Sequence, residues 1–167
     1  RRAPLRGPAD LAKGGAGNAM PRHAETRTLP YRADQMFALV ADVARYPEFL
    51  PWTAAARIRS RQPVEGGEVM EADLVISFKV FREKFGSRVT LLPAEGRILT
   101  EYIDGPFRHL KSVWSFADRP DGGCDVSFEV DFEFRNAILA GVIGLVFNEA
   151  MQRIVRAFEA RAKVLYG

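Results

Sequence analysis

The chain has 167 residues with a formal net charge of +3, and 47% of the residues are hydrophobic and 27% are charged. These values exclude a wholly disordered or fibrous chain, and the length fits one folded domain. The first nineteen residues hold four basic residues and one acidic residue, so the rest of the chain carries 20 of each sign. A neutral body does not predict a nucleic-acid-binding face, and we expect no DNA partner. The single Cys124 excludes an internal disulfide and a cysteine-rich metal site.

Residues 1–19 are rich in Gly, Ala, Pro and Arg and have no hydrophobic periodicity. This composition predicts a disordered extension, with the folded domain covering residues 20–167. A transit peptide is the alternative, because the segment is Arg-rich and acid-poor, although it lacks serine.

After this extension the chain reads as a strand followed by a helix. Residues 23–29 alternate in the manner of a short strand, and apolar residues recur at helical spacing over 33–43. Pro47 and Pro51 then interrupt the helical pattern, which predicts a short second helix or a turn.

From Thr53 to Arg135 the hydrophobic period changes to two. The clearest case is 124–134, where apolar residues alternate with acidic and polar ones, as in a strand with one buried and one solvated face. Glycine- and proline-containing turns separate such runs at hairpin-like intervals. The pattern predicts an antiparallel sheet of about six to seven strands, counting the N-terminal one.

The last element, 137–166, reads as one helix. At about 1.5 Å per residue it spans on the order of 40 Å, enough to cross a sheet, and we expect it to lie on the concave apolar face of an α+β fold. One helical stripe contains Leu139, Ile143, Val146, Ala150, Ile154 and Phe158. Its first part, 137–147, has no polar face and must be buried on several sides or contact something apolar. This run falls short of the roughly 20 residues of a bilayer span, so we expect no transmembrane segment.

Residues able to perform catalysis are scarce. His23, His109 and Cys124 form no nucleophile or metal-ligand arrangement, so we expect no catalytic residue, no metal and no catalytic cofactor. Glu83 is the exception, because it shares the inward phase of its strand with Ser87. It is a candidate polar group of a cavity, or else a residue at the cavity rim.

Alternating basic residues predict a stripe on the outer face of the sheet. Such a stripe suits acidic lipid headgroups or RNA phosphates, and the alternative is pairing with acidic residues across strands. The residues concerned are Arg57, Arg59, Arg61, Arg82, Lys84 and Arg88.

The segment VADVARYPEFLPW, residues 40–52, resembles the signature of the coenzyme Q-binding START-domain family. That family lies within the polyketide cyclase/START superfamily, together with the bacterial ribosome-association toxins. Residues 105–110, 114–116 and 130–134 and the final helix follow the same pattern, so the resemblance covers about 20–167. One departure is Thr53, which stands where similar sequences often have cysteine.

The resemblance implies a helix-grip (START/Bet v 1-like) fold that binds ubiquinone or a related polyprenyl lipid and supports its delivery to respiratory electron transfer. It leaves two alternatives open, a ribosome-association inhibitor of a toxin–antitoxin pair and a polyketide cyclase-like enzyme. It also implies peripheral membrane association, in the cytoplasm of a bacterium or on the matrix side of the mitochondrial inner membrane of a eukaryote.

Bulky apolar residues are the candidates for lining the cavity and for meeting the membrane. The predicted ligand-binding residues are Phe49, Trp52, Trp114, Phe128, Phe132, Val146, Phe147 and Met151. The predicted membrane or lid contacts are Ile138, Leu139, Val142 and Leu145.

Overall fold

The structure, a computed structural model, describes residues 22–167. The prediction of a disordered extension over residues 1–19 lies outside this range. The strands are β1 (Arg22–Leu29), β2 (Thr53–Val64), β3 (Gly67–Phe78), β4 (Phe81–Leu92), β5 (Arg97–Asp104), β6 (Phe107–Asp118) and β7 (Cys124–Phe134). The helices are α1 (Ala33–Ala41) and α2 (Ala137–Tyr166), with short 3₁₀ helices at Val43–Glu48 and Pro93–Glu95.

The seven strands form one antiparallel sheet in the order β1-β7-β6-β5-β4-β3-β2. Strands β2 to β7 make a meander of consecutive neighbours, and β1 pairs with the far end of that meander, against β7. The antiparallel sheet of six to seven strands is therefore confirmed. The predicted alternation of β7 also holds, because its inward residues Cys124, Val126 and Phe128 are buried.

Helix α1 ends at Ala41, two residues earlier than the periodicity indicates. Asp42 leaves the helical conformation with ψ 64°, and the chain continues as the 3₁₀ helix that contains Pro47. The apolar spacing therefore continues past the end of the α-helix, because Val43 is buried in the same core from the 3₁₀ helix.

Helix α2 has the predicted bounds. Its first turn is capped by Asn136, whose side chain accepts hydrogen bonds from the backbone amides of Ile138 and Leu139. At its other end, the Tyr166 hydroxyl donates to the carbonyl of Gln35 in α1 at 3.0 Å. The residues that α2 buries are Leu139, Phe147, Ala150, Val155, Phe158 and Ala162.

The length of α2 bears on the expectation of no bilayer-spanning segment, which stays a prediction. Helix α2 contains an 18-residue window of mean hydropathy 1.5 and is long and apolar enough to cross a membrane, by length and composition only. The uncharged run alone was too short, but the amphipathic continuation of the helix lengthens the apolar stretch. Core helices of globular domains meet the same criterion, and α2 packs against the sheet. Only 22% of the 18-residue window of α2 is buried.

Candidate functional site

A cavity of about 260 Å³ lies between α2, the segment after α1 and the concave face of the sheet. Helix α2 contributes Ile143, Ala150, Met151, Ile154 and Phe158, and the remaining lining comes from strands β2 to β7 and the 43–53 segment. No lining residue carries a formal charge. The space therefore suits an apolar, uncharged molecule.

Five of the eight predicted ligand-binding residues line this cavity: Trp52, Trp114, Phe128, Phe132 and Met151. Trp114 lies at the centre, with its ring centroid 4.3 Å from that of Phe128 on the sheet and 5.0 Å from that of Phe158 on α2. These three rings join the helix to the sheet and form one wall of the cavity.

Phe49, Val146 and Phe147 lie outside the lining. Phe49 packs on the 3₁₀ segment and beneath the guanidinium of Arg161, 5.2 Å from the ring centroid. Phe147 is buried between Phe132 and His23, at centroid distances of 5.2 and 6.3 Å, and so fills the sheet–helix interface. Val146 is only partly buried and stands at the side of the helix. Helical phase alone cannot separate a residue that packs on the sheet from one that lines a space.

Trp52 lines the cavity and has a backbone conformation unusual for its residue type. Its backbone φ is 62°, in the left-handed region that favours glycine, and its carbonyl accepts a hydrogen bond from the amide of Ser77 at 2.8 Å. Its ring lies edge-on to Phe78, 5.6 Å between centroids. Such a conformation costs of order 1–3 kcal/mol and persists only where surrounding contacts hold it.

Glu83 does not reach the cavity. It lies near the start of β4, opposite Ile76, half-buried and on the same side of the sheet as Phe85, but it is absent from the lining. This is the rim position rather than that of a ligand-facing acid or base. A polar group can share the inward phase of a strand and still lie beyond the cavity end.

The polar lining consists mainly of hydroxyl groups that our sequence-based residue choice missed. Ser87, Thr100 and Ser112 line the floor of the cavity from β4, β5 and β6. The signal was present, because each is a polar residue in the apolar phase of its strand. Tyr46 also lines the space, but its hydroxyl donates to the carbonyl of Val40, and burial, together with the charge of Asp42, raises its pKa.

Acidic partners neutralise much of the basic stripe predicted on the outer face. Arg59 is hydrogen-bonded through Nε to Asp73 at 2.9 Å and also contacts Asp104. The hydrogen bond from Arg59 holds the pKa of Asp73 below its usual value. The guanidinium lies over Gly86, where a Cβ would come within 2.8 Å of it. Arg88 pairs with Glu71 at 3.5 Å, so the cross-strand alternative describes this face better.

Arg61 does not belong to the stripe. A register shift between Ile58 and Ser60 makes Arg61 the partner of Met70, a fully buried inward residue. Residues directly opposite in an antiparallel pair share a face, so the bulge turns Arg61 to the other side, where it pairs with Glu68 at 2.7 Å.

A polar ladder connects β1 to α2 outside the cavity. Glu25 accepts hydrogen bonds from His23 at 2.8 Å and from Arg27 at 3.0 Å, and Arg27 also pairs with Glu159 of α2 at 3.0 Å. Burial opposes ionisation of Glu25, but the bonds from His23 and Arg27 outweigh it and lower the Glu25 pKa. This arrangement ties an edge strand to the helix.

The other candidate reactive groups are not arranged for catalysis. Burial raises the pKa of the Cys124 thiol to about 11, so it stays protonated at neutral pH. His109 lies near Asp131 and Glu133 at 3.9 and 4.0 Å, away from the cavity. Within residues 22–167 no group of three His, Cys, Asp or Glu side chains is placed to hold a metal ion.

The uncharged start of α2 divides into exposed and buried positions. Leu145 is 88% and Ile138 is 73% exposed, and Val142 is partly buried. Leu139, by contrast, is 3% exposed and sits in the interior, so its prediction as a membrane or lid contact is wrong. Val80, at the tip of the β3–β4 hairpin, is 92% exposed.

A family model described as polyketide cyclase / dehydrase and lipid transport matches residues 29–159. The chain belongs to this polyketide cyclase / dehydrase and lipid transport family. The match confirms the resemblance to the START and polyketide cyclase superfamily.

Two relatives of this chain carry names of different kinds. A protein of Rickettsia prowazekii named ribosome association toxin RatA is 40% identical over 141 residues, 83% of this chain and 93% of that protein. A Xenopus laevis protein named coenzyme Q-binding protein COQ10 homolog B, mitochondrial, is 30% identical over 156 residues, 90% of this chain and 62% of that protein. Neither name describes a catalysed reaction.

The solved structure of an 18 kDa protein from Caulobacter crescentus superposes with a TM-score of 0.74 at 34% identity. The superposition covers 89% of this chain and 99% of that one. With the curved sheet and long C-terminal helix, it confirms the helix-grip architecture for this member of the polyketide cyclase / dehydrase and lipid transport family.

Proposed function

We propose that the protein binds ubiquinone or a related neutral polyprenyl lipid in the cavity and supports its delivery to respiratory electron transfer. One observation carries the proposal: an internal space of about 260 Å³ is walled mainly by apolar side chains, and none of the described residues that line it carries a formal charge. Burying an unpaired charge costs far more than burying an uncharged ring, so the lining selects neutral cargo.

The volume also limits how much of the cargo enters. Small-molecule sites typically measure about 300–1,000 Å³, so this cavity of about 260 Å³ is slightly smaller than that range. It suits a quinone ring and the start of the isoprenoid tail. The rest of a long tail then extends out of the cavity.

A carrier of this kind takes its cargo from a bilayer, and exposed apolar residues lie on the β3–β4 turn and on the first part of α2. The β3–β4 turn and the β7–α2 junction lie at the same end of the sheet, because β4 pairs with β5 near Gly86 and β6 pairs with β7 near Phe134. Val80 on the turn and Leu145 on the helix are the contacts proposed at the membrane.

Basic residues beside the turn suit anionic lipid. Lys79 and Arg82 flank the hairpin tip, and each cation near an anionic surface contributes roughly 1 kcal/mol to binding. We expect shallow, reversible insertion at the cytoplasmic face of a bacterial membrane, or at the matrix face of the inner mitochondrial membrane in a eukaryote.

The name of the Xenopus relative supports quinone as the cargo, and the cavity chemistry argues against a cyclase. General acid–base catalysis requires a titratable group within hydrogen-bond reach of the substrate. Glu83, the one inward carboxylate considered for this role, lies outside the lining.

Copurification and quenching test the proposal. The full chain is purified from a quinone-producing host, extracted with organic solvent and analysed by mass spectrometry. The purified protein is then titrated with decyl-ubiquinone while the tryptophan fluorescence of Trp52 and Trp114 is followed. We expect extracted quinone and saturable quenching. Finding neither contradicts the lipid-carrier function.

A matched pair of variants ties any binding to the cavity. Met151→Trp replaces a thioether side chain of the lining with a bulky indole ring, whereas Gln152→Trp adds the same ring at the neighbouring exposed position. Only the first should abolish saturable quinone uptake. Equal uptake by both variants would show that quinone binds elsewhere.

The Rickettsia relative's name favours a second candidate function, inhibition of ribosomal subunit association. Binding to ribosomal RNA depends steeply on salt, because phosphate contacts release counterions. Sedimentation of ribosomal subunits with and without the protein, at two salt concentrations, tests it. Unchanged subunit association at low salt contradicts this candidate, and pairing of Arg59 and Arg88 with carboxylates leads us to expect that result.

A further inference from the structure

Three hydroxyl groups form a row on the floor of the cavity. Of the five hydroxyl-bearing residues in the lining, Tyr46 and Thr53 donate to the backbone carbonyls of Val40 and Pro51. The hydroxyls of the other three, Ser87, Thr100 and Ser112, have no hydrogen-bond partner among residues 22–167.

The sheet register brings the three residues of this hydroxyl row together. Thr100 is directly opposite Ser112 in the β5–β6 pair and directly opposite Val89 in the β4–β5 pair. Ser87 lies two residues from Val89 on the same face of β4. Neighbouring strands are about 4.8 Å apart, and Ser87 is displaced by about 7 Å along β4 from the position opposite Thr100, so the row extends about 12 Å diagonally across three strands, the scale of a substituted ring.

Ser87 indicates that the row faces a ligand. Ser87 is 2% exposed. Its hydroxyl oxygen is nevertheless not one of the described side-chain atoms that are both fully buried and without a hydrogen-bond partner. Its remaining accessible surface therefore opens onto the cavity. Buried polar groups are normally hydrogen-bonded, so an oxygen facing this space calls for a partner supplied from within it.

We infer that the hydroxyl row binds the oxygen-bearing end of the cargo, and so sets both its orientation and its chemical class. The row lies on the sheet side of the cavity, whereas Met151 lines it from α2, so a polar ring held at the row leaves the tail to extend away from the row. This inference rests on the lipid-binding function proposed above.

The chemistry of hydroxyl groups defines the ligand class. A hydroxyl donates to a quinone carbonyl and accepts from a quinol O–H, so both redox forms are recognised. An ionised head, such as a fatty-acid carboxylate, finds no cation in the lining to pair with. A hydrocarbon without oxygen fits the space but leaves the row unpartnered.

The test compares two ligands of equal chain length, decyl-ubiquinone and decylbenzene, by calorimetric titration of the full chain. The variants are Ser87→Ala, Thr100→Val, Ser112→Ala and the triple combination, which remove hydroxyls with little change of volume. Thr90→Val is the matched control, because Thr90 is on β4 with the opposite orientation to Val89.

Each deletion should weaken decyl-ubiquinone binding by about fivefold, and the triple variant more, while decylbenzene affinity stays constant or rises. The control should match the parent protein. Unchanged quinone affinity in the triple variant, or an equal loss in Thr90→Val, overturns the hydroxyl-row assignment. If the parent binds neither ligand, the proposed lipid-binding function fails instead. If the triple variant unfolds, the three single variants, checked by thermal unfolding, decide the question.

Discussion

Replacing Leu145 with aspartate separates membrane contact from folding. Leu145 is 88% exposed, so the folded domain loses almost no apolar burial, and the free energy of unfolding should change by no more than about 0.5 kcal/mol. If the side chain enters the acyl boundary, its burial contributes about 1.5–3 kcal/mol to membrane binding. Leu145→Asp should then weaken vesicle binding by about 10- to 100-fold.

The assay is co-sedimentation with vesicles of neutral lipid and with vesicles containing anionic lipid, with circular dichroism to monitor folding. The parent protein should bind anionic vesicles better, because Lys79 and Arg82 lie beside the exposed hairpin tip. Quinone uptake from the same vesicles should fall together with binding in the variant.

Leu139→Asp is the control. Leu139 occupies the same helix but is 3% exposed, so a carboxylate there is buried without a partner and should unfold the domain. The reasoning is refuted if Leu145→Asp remains folded and still takes up quinone from vesicles at the parental rate.

Three further outcomes are expected. Arg59→Ala should lower the midpoint of thermal unfolding, because the carboxylate of Asp73, which is 6% exposed, loses its main partner. Arg61→Ala removes an exposed ion pair and should leave the midpoint unchanged. Equal midpoints for the two variants would contradict this role of Arg59. The pKa values of Glu25 and Asp73 are lowered in the folded state. The contribution of these carboxylates to the free energy of unfolding is therefore complete above their usual pKa values near 4, and it is lost as the pH falls through the lower folded-state pKa values. Urea unfolding between pH 7 and pH 3 checks this, and a urea midpoint independent of pH would contradict it. Trp52→Gly should be more stable than Trp52→Ala by about 1 kcal/mol, since glycine adopts φ 62° without strain; the reverse order in chemical denaturation would show that the backbone there is relaxed.

The sequence predicted the architecture well because the periodic patterns are long. The period-two alternation of β7 and the 30-residue apolar pattern of α2 each correspond to one complete element of the structure. Short turns between consecutive strands favour the meander of β2 to β7, whereas the pairing of β1 with β7 was not predicted. Only the helix end near Ala41 moved, since a buried residue can continue an apolar pattern from a 3₁₀ turn.

The site was less predictable, for reasons visible at particular residues. Phe147 and Ile143 face a similar direction on α2, but only Ile143 lines the cavity, because the ring of Phe147 packs against the ring of Phe132. The β-bulge that turns Arg61 to the other face of the sheet is not visible in the alternating sequence pattern of basic residues. Ser87 was placed in the inward phase of its strand, but it was not chosen as a ligand-binding residue because that choice favoured bulky apolar side chains.

The pairing of β1 with β7 has a consequence for synthesis of the chain. Thr26 of β1 contacts Ser127 of β7, 101 residues later in the sequence. Folds dominated by such distant pairings form slowly, and β1 cannot take its place until nearly all of the sheet has been made. The apolar concave face also stays uncovered until α2 has been synthesised, so the nascent chain is exposed to aggregation longest at the surface that later lines the cavity.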